Sequence, residues 1–174
     1  MRLVFVLVCA FLTLSSCIDP HSPVDPHSSI ELAAPAKVRL ASLDYARKYI
    51  DLGTTYAWGA QDALPRQLAL DCSGLVVRCY AYACDELGYT LPFNDMNSAG
   101  MQAYTQPVDP EPGDLIFMGT EGKVNHVALF VRREGSDTYF IDSTEYGGVS
   151  GVNERSYATS DPKFISYGRL LLKK

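Results

Sequence analysis

The stretch "LALDCSGLVVRCYAYACDELG", residues 68–88, decides how the rest of the chain is read. Leu75, Cys79, Ala83 and Leu87 recur at every fourth position, the spacing of one helix face. Asp71 is a good N-cap residue and Gly88 a good terminator, so the pattern predicts a helix that begins at Cys72. A structural cysteine would sit inside the apolar stripe, as Cys79 does. Cys72 lies at its lip, where unpaired backbone N–H groups and the helix dipole favour a thiolate. That makes Cys72 a candidate nucleophile, although the adjacent Asp71 opposes the anion unless its carboxylate points elsewhere. Cys79 and Cys84 on the same helix would hold their Cα atoms about 8–9 Å apart, beyond disulfide reach. They read as core residues.

Working outward, Leu40–Leu52 ("LASLDYARKYIDL") places apolar residues at 40, 43, 46 and 50, a second helical stripe with Gly53 as its stop. The loop between the two helices holds the single tryptophan, Trp58. Residues 89–113 carry Pro92, Pro107, Pro110 and Pro112 and read as a surface excursion, with a short helix around Asn97–Tyr104. The period then changes to two. Asp114–Met118, His126–Arg132, Thr138–Ser143 and Ile165–Leu172 are predicted strands. Helices followed by a twisted antiparallel sheet make the fold class α+β.

Upstream, Leu3–Leu14 is an apolar run preceded by Arg2, about 18 Å long as a helix and too short for a bilayer core of roughly 30 Å. It reads as a targeting segment covering residues 1–16. "LSSC", Leu14–Cys17, resembles the bacterial lipobox, which implies acylation of Cys17 and a membrane anchor. No aspartate directly follows Cys17, so by the same resemblance the outer membrane, facing the periplasm, is expected over the inner one. Residues 17–37, rich in Pro, Ser and Asp, then form an extended tether. His21 and His27, each in a repeated "DPHS", belong to that spacer. The remaining domain, residues 38–174, is long enough for one core. Its charge argues against nucleic acid as a partner: the chain is net −5 and has no basic cluster. No Cys/His set has zinc spacing, and neither a metal nor another cofactor is expected.

A thiolate nucleophile needs a base, and the domain contains one histidine, His126, at the start of a predicted strand. If Arg133–Gly135 form a three-residue hairpin loop, Phe130 faces Thr138, Ala128 faces Phe140, and His126 faces Asp142. Directly opposed side chains have Cβ atoms about 5 Å apart, close enough for Asp142 to orient the imidazole. A slip of one residue would instead leave Asp142 in water.

The motifs "YAWG" (Tyr56–Gly59), "DCSGLV" (Asp71–Val76), "LP" (Leu91–Pro92), "PGDLIF" (Pro112–Phe117), "HVALFV" (His126–Val131) and "FIDS" (Phe140–Ser143) occur in this order over Leu40–Leu172. Together they resemble the NlpC-type cell-wall cysteine peptidase family. The resemblance implies a compact papain-like fold and hydrolysis of amide bonds in peptidoglycan stem peptides; separately, a monomer is expected. It implies Cys72 as nucleophile, His126 as base and Asp142 as the third polar residue. Tyr56 would help bind the oxyanion, and Asp71, Ser73 and Trp58 would line the substrate subsites. The chain departs from the family where aspartate replaces the commoner histidine at 142, where Ala60 replaces a common glycine, and in a long insertion, Gln61–Leu70. Two other functions fit the same residues: a lipid-anchored wall-binding protein without turnover, and a related amidase or acyltransferase.

Overall fold

A computed structural model describes residues 31–65 and 68–174. The expected targeting segment, Cys17, His21 and His27 lie outside the described residues. Chain order is β1 (Glu31–Ala33), α1 (Ala36–Asp51), β2 (Thr55–Tyr56), β3 (Ala69–Leu70), α2 (Cys72–Leu87), α3 (Ser98–Met101), β4 (Thr105–Pro107), β5 (Leu115–Thr120), β6 (Lys123–Glu134), β7 (Asp137–Tyr146), β8 (Val149–Ala158) and β9 (Phe164–Lys173). Seven strands form one sheet in the order β1-β9-β5-β6-β7-β8, with β4 also paired to β9, while β2 and β3 pair separately in parallel. The fold is α+β, as expected. Among the described residues no helix is long and apolar enough to cross a membrane.

Period-two alternation divides the sheet side chains between two apolar clusters. Leu115, Phe117, Val127, Leu129 and Ile141 face the helices and pack with Leu43, Tyr49, Leu75, Cys79 and Tyr80 in the main core. Ile116, Met118, Ala128, Phe130 and Phe140 face the other way, covered by Tyr157, Phe164 and Tyr167. Cys79 and Cys84 are free and buried in the main core.

Several sequence expectations are corrected. Helix α1 starts at Ala36, and its buried face runs through Val38, Leu43, Ala46 and Tyr49, while Leu40 is 50% exposed. Leu40 lies about 200° round the helix from Val38, so both cannot face the core. Glu31–Ala33, expected in the tether, are extended but paired to Leu171–Lys173. Strand β8 was not expected. Its ten residues show mixed burial with only Gly151 and Val152 fully covered, so an edge strand carries too little apolar alternation to register.

The β6–β7 hairpin also differs in register. Its loop is the two residues Gly135 and Ser136, with Glu134 opposite Asp137 and Arg132 opposite Tyr139. A bulge between Phe130 and Arg132 then sets Phe130 opposite Phe140 and Leu129 opposite Ile141. The expected pairing of Phe130 with Thr138 is therefore displaced by two. An even displacement keeps every side chain on its face. Continued along the strands, it brings Ala128 opposite Asp142 and leaves His126 as the diagonal neighbour of that carboxylate.

Two motif glycines have steric explanations. A Cβ on Gly113, where φ is +89°, would lie 2.3 Å from the Arg39 carbonyl oxygen. That contact seats "PGD" against α1, where buried Asp114 binds Arg169 through two hydrogen bonds (2.9 and 2.8 Å). "PGDLIF" is thus a structural motif. A Cβ on Gly74 would lie 2.2 Å from the Ala60 carbonyl oxygen, in the loop that reaches over the start of α2. Gly74→Ala is expected to destabilise the fold by about 1–3 kcal/mol, the usual cost of overpacking, read as a lowered melting temperature.

Candidate active site

Helix α2 begins where the sequence analysis placed it. Asp71 is the N-cap, and its Oδ1 accepts from the Gly74 N–H (2.6 Å) and from Ser73 Oγ (2.8 Å). Its Oδ2 accepts from the Gly59 N–H (2.9 Å), so one side chain ties the "YAWG" loop to the helix. The carboxylate is thereby engaged with three donors. Cys72, half-buried, is the first residue of the helix.

Three connections bring the other groups to this point. Strand β2 pairs in parallel with β3, and Tyr56 stands opposite Leu70, two residues before Cys72. Tyr56 is held above the ordinary phenol pKa by burial and by the neighbouring charges of Cys72 and Asp71, so it remains a hydroxyl donor. Ser143, fully buried on β7, donates to the Leu70 carbonyl (2.7 Å) and fastens the strand beside Asp142 to the strand before Cys72. On β6, Met118 pairs with His126 but Gly119 with Val124, so Asn125 is an extra residue. Such bulges bend a strand and re-aim its side chains.

His126 Nε2 lies 2.7 Å from Asp142 Oδ2, and the ring is near enough to Cys72 for the thiol to act on its pKa. With Nε2 held by the carboxylate, Nδ1 is the nitrogen left to exchange a proton with sulfur. Burial opposes the imidazolium. The hydrogen bond to Asp142 and the influence of the Cys72 thiol outweigh it and raise the His126 pKa to about 9. The three residues read from the sequence as a triad do converge.

Arg155, on the unexpected β8, was missed. Its Nε donates to Asp142 Oδ1 (2.9 Å), its Nη2 pairs with Asp142 Oδ2, and its Nη1 donates to Tyr157 Oη (3.1 Å). Asp142 has no exposed surface, and a buried carboxylate needs such partners. No motif in the sequence flags Arg155. The only available signal was that a buried Asp142 would require a cation.

A cleft of about 440 Å³ opens over Cys72, lined by Trp58, Gln61, Asp71, Ser73 and Asp95 among others. Trp58 is 88% exposed at its rim. Gln61, the first residue of the insertion, donates to Asp95 Oδ1 across this cleft, while its carbonyl accepts from Arg78 Nε (2.7 Å). Through Gln61 the start of the insertion forms part of the cleft wall. Among the described residues no group of His, Cys, Asp and Glu is gathered in a way that could hold a metal ion.

Removing Arg155 strands a buried carboxylate. Arg155→Met is expected to lower stability by about 3–5 kcal/mol in chemical denaturation. At temperatures where the variant stays folded, it should also slow alkylation of Cys72, because Asp142 no longer has a fixed orientation for His126.

No curated protein matches this sequence. The crystal structure of Ly7917 resembles it in fold, with a TM-score of 0.51 and 14% identity over 76% of this chain and 62% of that one. This chain thus spans less than two thirds of that structure's length. The family description NlpC/P60 matches residues 53–167, which include Tyr56, Cys72, His126 and Asp142. With that match over well more than half of its length, the chain belongs to the NlpC/P60 family of cell-wall peptidases.

Proposed function

We propose that this protein is a peptidoglycan endopeptidase that cleaves amide bonds of stem peptides or their crosslinks by a Cys72–His126–Asp142 thiol mechanism. The observation that carries it is His126, hydrogen-bonded to Asp142 and close enough to Cys72, at the start of α2, to feel its thiol. His126 takes the Cys72 proton, and the thiolate attacks the amide carbonyl. The oxyanion is held by Tyr56 Oη and by backbone N–H groups at the start of α2. His126 then donates its proton to the leaving amine as the C–N bond breaks, and the acyl group stays on sulfur. Water, deprotonated by His126, releases the acid and restores the thiol.

Trp58, Ser73 and Asp71 line the cleft that would receive the acyl side of the substrate. Asp71 serves mainly to shape it, because both of its oxygens are already hydrogen-bonded. Acyl chains on Cys17 would hold the domain at a bacterial membrane, the outer one facing the periplasm, within reach of the wall.

Purified muropeptides incubated with the protein and analysed by mass spectrometry test the proposal. Cleavage products are expected from the wild type, none from Cys72→Ala, and at least about 10²-fold less from His126→Ala. Product formation by Cys72→Ala at the wild-type rate would refute the mechanism.

The pH dependence follows from His126, whose folded pKa of about 9 exceeds its ordinary 6.5. A raised histidine contributes stability fully below about pH 6.5 and loses it as pH climbs through about 9. Turnover should fall along the same alkaline limb, since a ring that has lost to solvent the proton it took from Cys72 has none for the leaving amine. In Asp142→Asn that limb should move down towards 6.5, measured as kcat/KM against pH.

A further inference from the structure

Arg155 spends all three of its nitrogens inside the fold. Nε donates to Asp142 Oδ1 (2.9 Å), Nη2 pairs with Asp142 Oδ2, and Nη1 donates to Tyr157 Oη (3.1 Å). The guanidinium carbon also lies 5.4 Å from the ring centroids of Phe140 and Tyr157. Two parallel bonds to one carboxylate are the strong, planar form of this ion pair.

Oδ2 of Asp142 is shared. It pairs with Arg155 Nη2 and stands 2.7 Å from His126 Nε2, so a guanidinium and an imidazole meet on one oxygen. Orienting the ring needs only an acceptor for its Nε2–H, which a neutral carbonyl oxygen would also provide. A bare buried carboxylate would do more, binding the imidazolium as a full counter-ion and holding its proton more tightly. Burial lowers the proton affinity of His126. Of the influences that raise it, the hydrogen bond to Asp142 ranks first and the charge of Asp142 last.

The other groups near the ring fall on two sides. On the helix side stand Cys72 and its neighbour Tyr56, with Asp71 already engaged by three donors. On the sheet side, Tyr146, Tyr157, Arg155 and Lys163 line a cavity of about 280 Å³ with His126, and Lys163 Nζ rests 4.5 Å from the Tyr157 centroid. The charged residues other than His126 in that lining are both cations. Taking away Asp142 alone would therefore leave His126 facing only positive charge on this side.

We infer that Arg155 is a positioning residue for the thiol chemistry: it cancels the charge of Asp142 so that the carboxylate serves His126 as an acceptor. The two residues form a neutral unit that can be exchanged together but not one at a time. This rests on the Cys72–His126–Asp142 reading and goes beyond it, because one member of the triad then depends on a residue outside it. A purely architectural Arg155 would behave differently, since losing it on top of Asp142 could not improve the chemistry.

The test is a double-mutant cycle on the full chain. One readout is the rate of Cys72 alkylation by iodoacetamide at neutral pH. The other is NMR titration of the His126 ring, which His126→Ala distinguishes from His21 and His27. Asp142→Asn should slow alkylation about tenfold and move the titration down by roughly 1–3 pH units, because Arg155 is left uncancelled beside the ring. Adding Arg155→Met should restore about tenfold in rate and carry the titration part of the way back up. Arg155→Met alone should titrate above the wild type. Arg155→Lys keeps the charge but not the parallel bonds, so it should titrate with the wild type and react more slowly.

Melting curves set a temperature at which the variants are folded. Should Arg155→Met not fold, the double variant and Arg155→Lys, which leave no buried charge unpaired, decide the matter. A double variant that reacts no faster than Asp142→Asn and titrates at the same pH overturns the inference, as does Arg155→Lys titrating with Arg155→Met. Alkylation needs no peptide. If the wild type cleaves no muropeptide, the peptidase reading fails while the cycle still sustains or overturns the role of Arg155.

Discussion

The carboxylate of Asp142 is the constraint around which this molecule is arranged. It is wholly buried, and an unpaired charge there would cost several kcal/mol. It is balanced by a guanidinium from β8 and an imidazole from β6. The sheet's strand order follows the same need, because β7 must lie between the strands carrying those two cations, as it does. The same pairing lifts His126 well above its ordinary range, which keeps a proton available at neutral pH. Stability and chemistry here depend on one interaction.

The second constraint is the junction between helix and sheet. Asp71 joins the "YAWG" loop to α2, and Ser143 joins β7 to β3. Neither group touches the reacting atoms as a nucleophile or base. Both fix where such atoms stand. Much of "DCSG" and "FIDS" can be understood as this joinery: a cap, the proposed nucleophile, a hydroxyl to the cap and a glycine without room for a methyl group, then a core residue, a carboxylate and a pin.

What could be read from residue order is what local physics controls. The start of α2 was visible because capping and termination are local choices at Asp71 and Gly88. The shared face of His126 and Asp142 was visible because parity along two strands survives a displacement by two. The exact partners were not visible, since the bulges at Asn125 and near Val131 arise from tertiary packing. Arg155 was hidden for a different reason. It sits on an edge strand whose polar sequence resembles a loop, and its role exists only once Asp142 is buried beside it.

The Ser143 bond to Leu70 has a thermodynamic consequence. It is buried and spans 73 residues of sequence, linking the segment that delivers the sulfur to the strand that delivers the carboxylate. Fraying of either half breaks this bond, so local opening around the proposed catalytic groups is coupled to the buried interior rather than confined to a loosely attached rim.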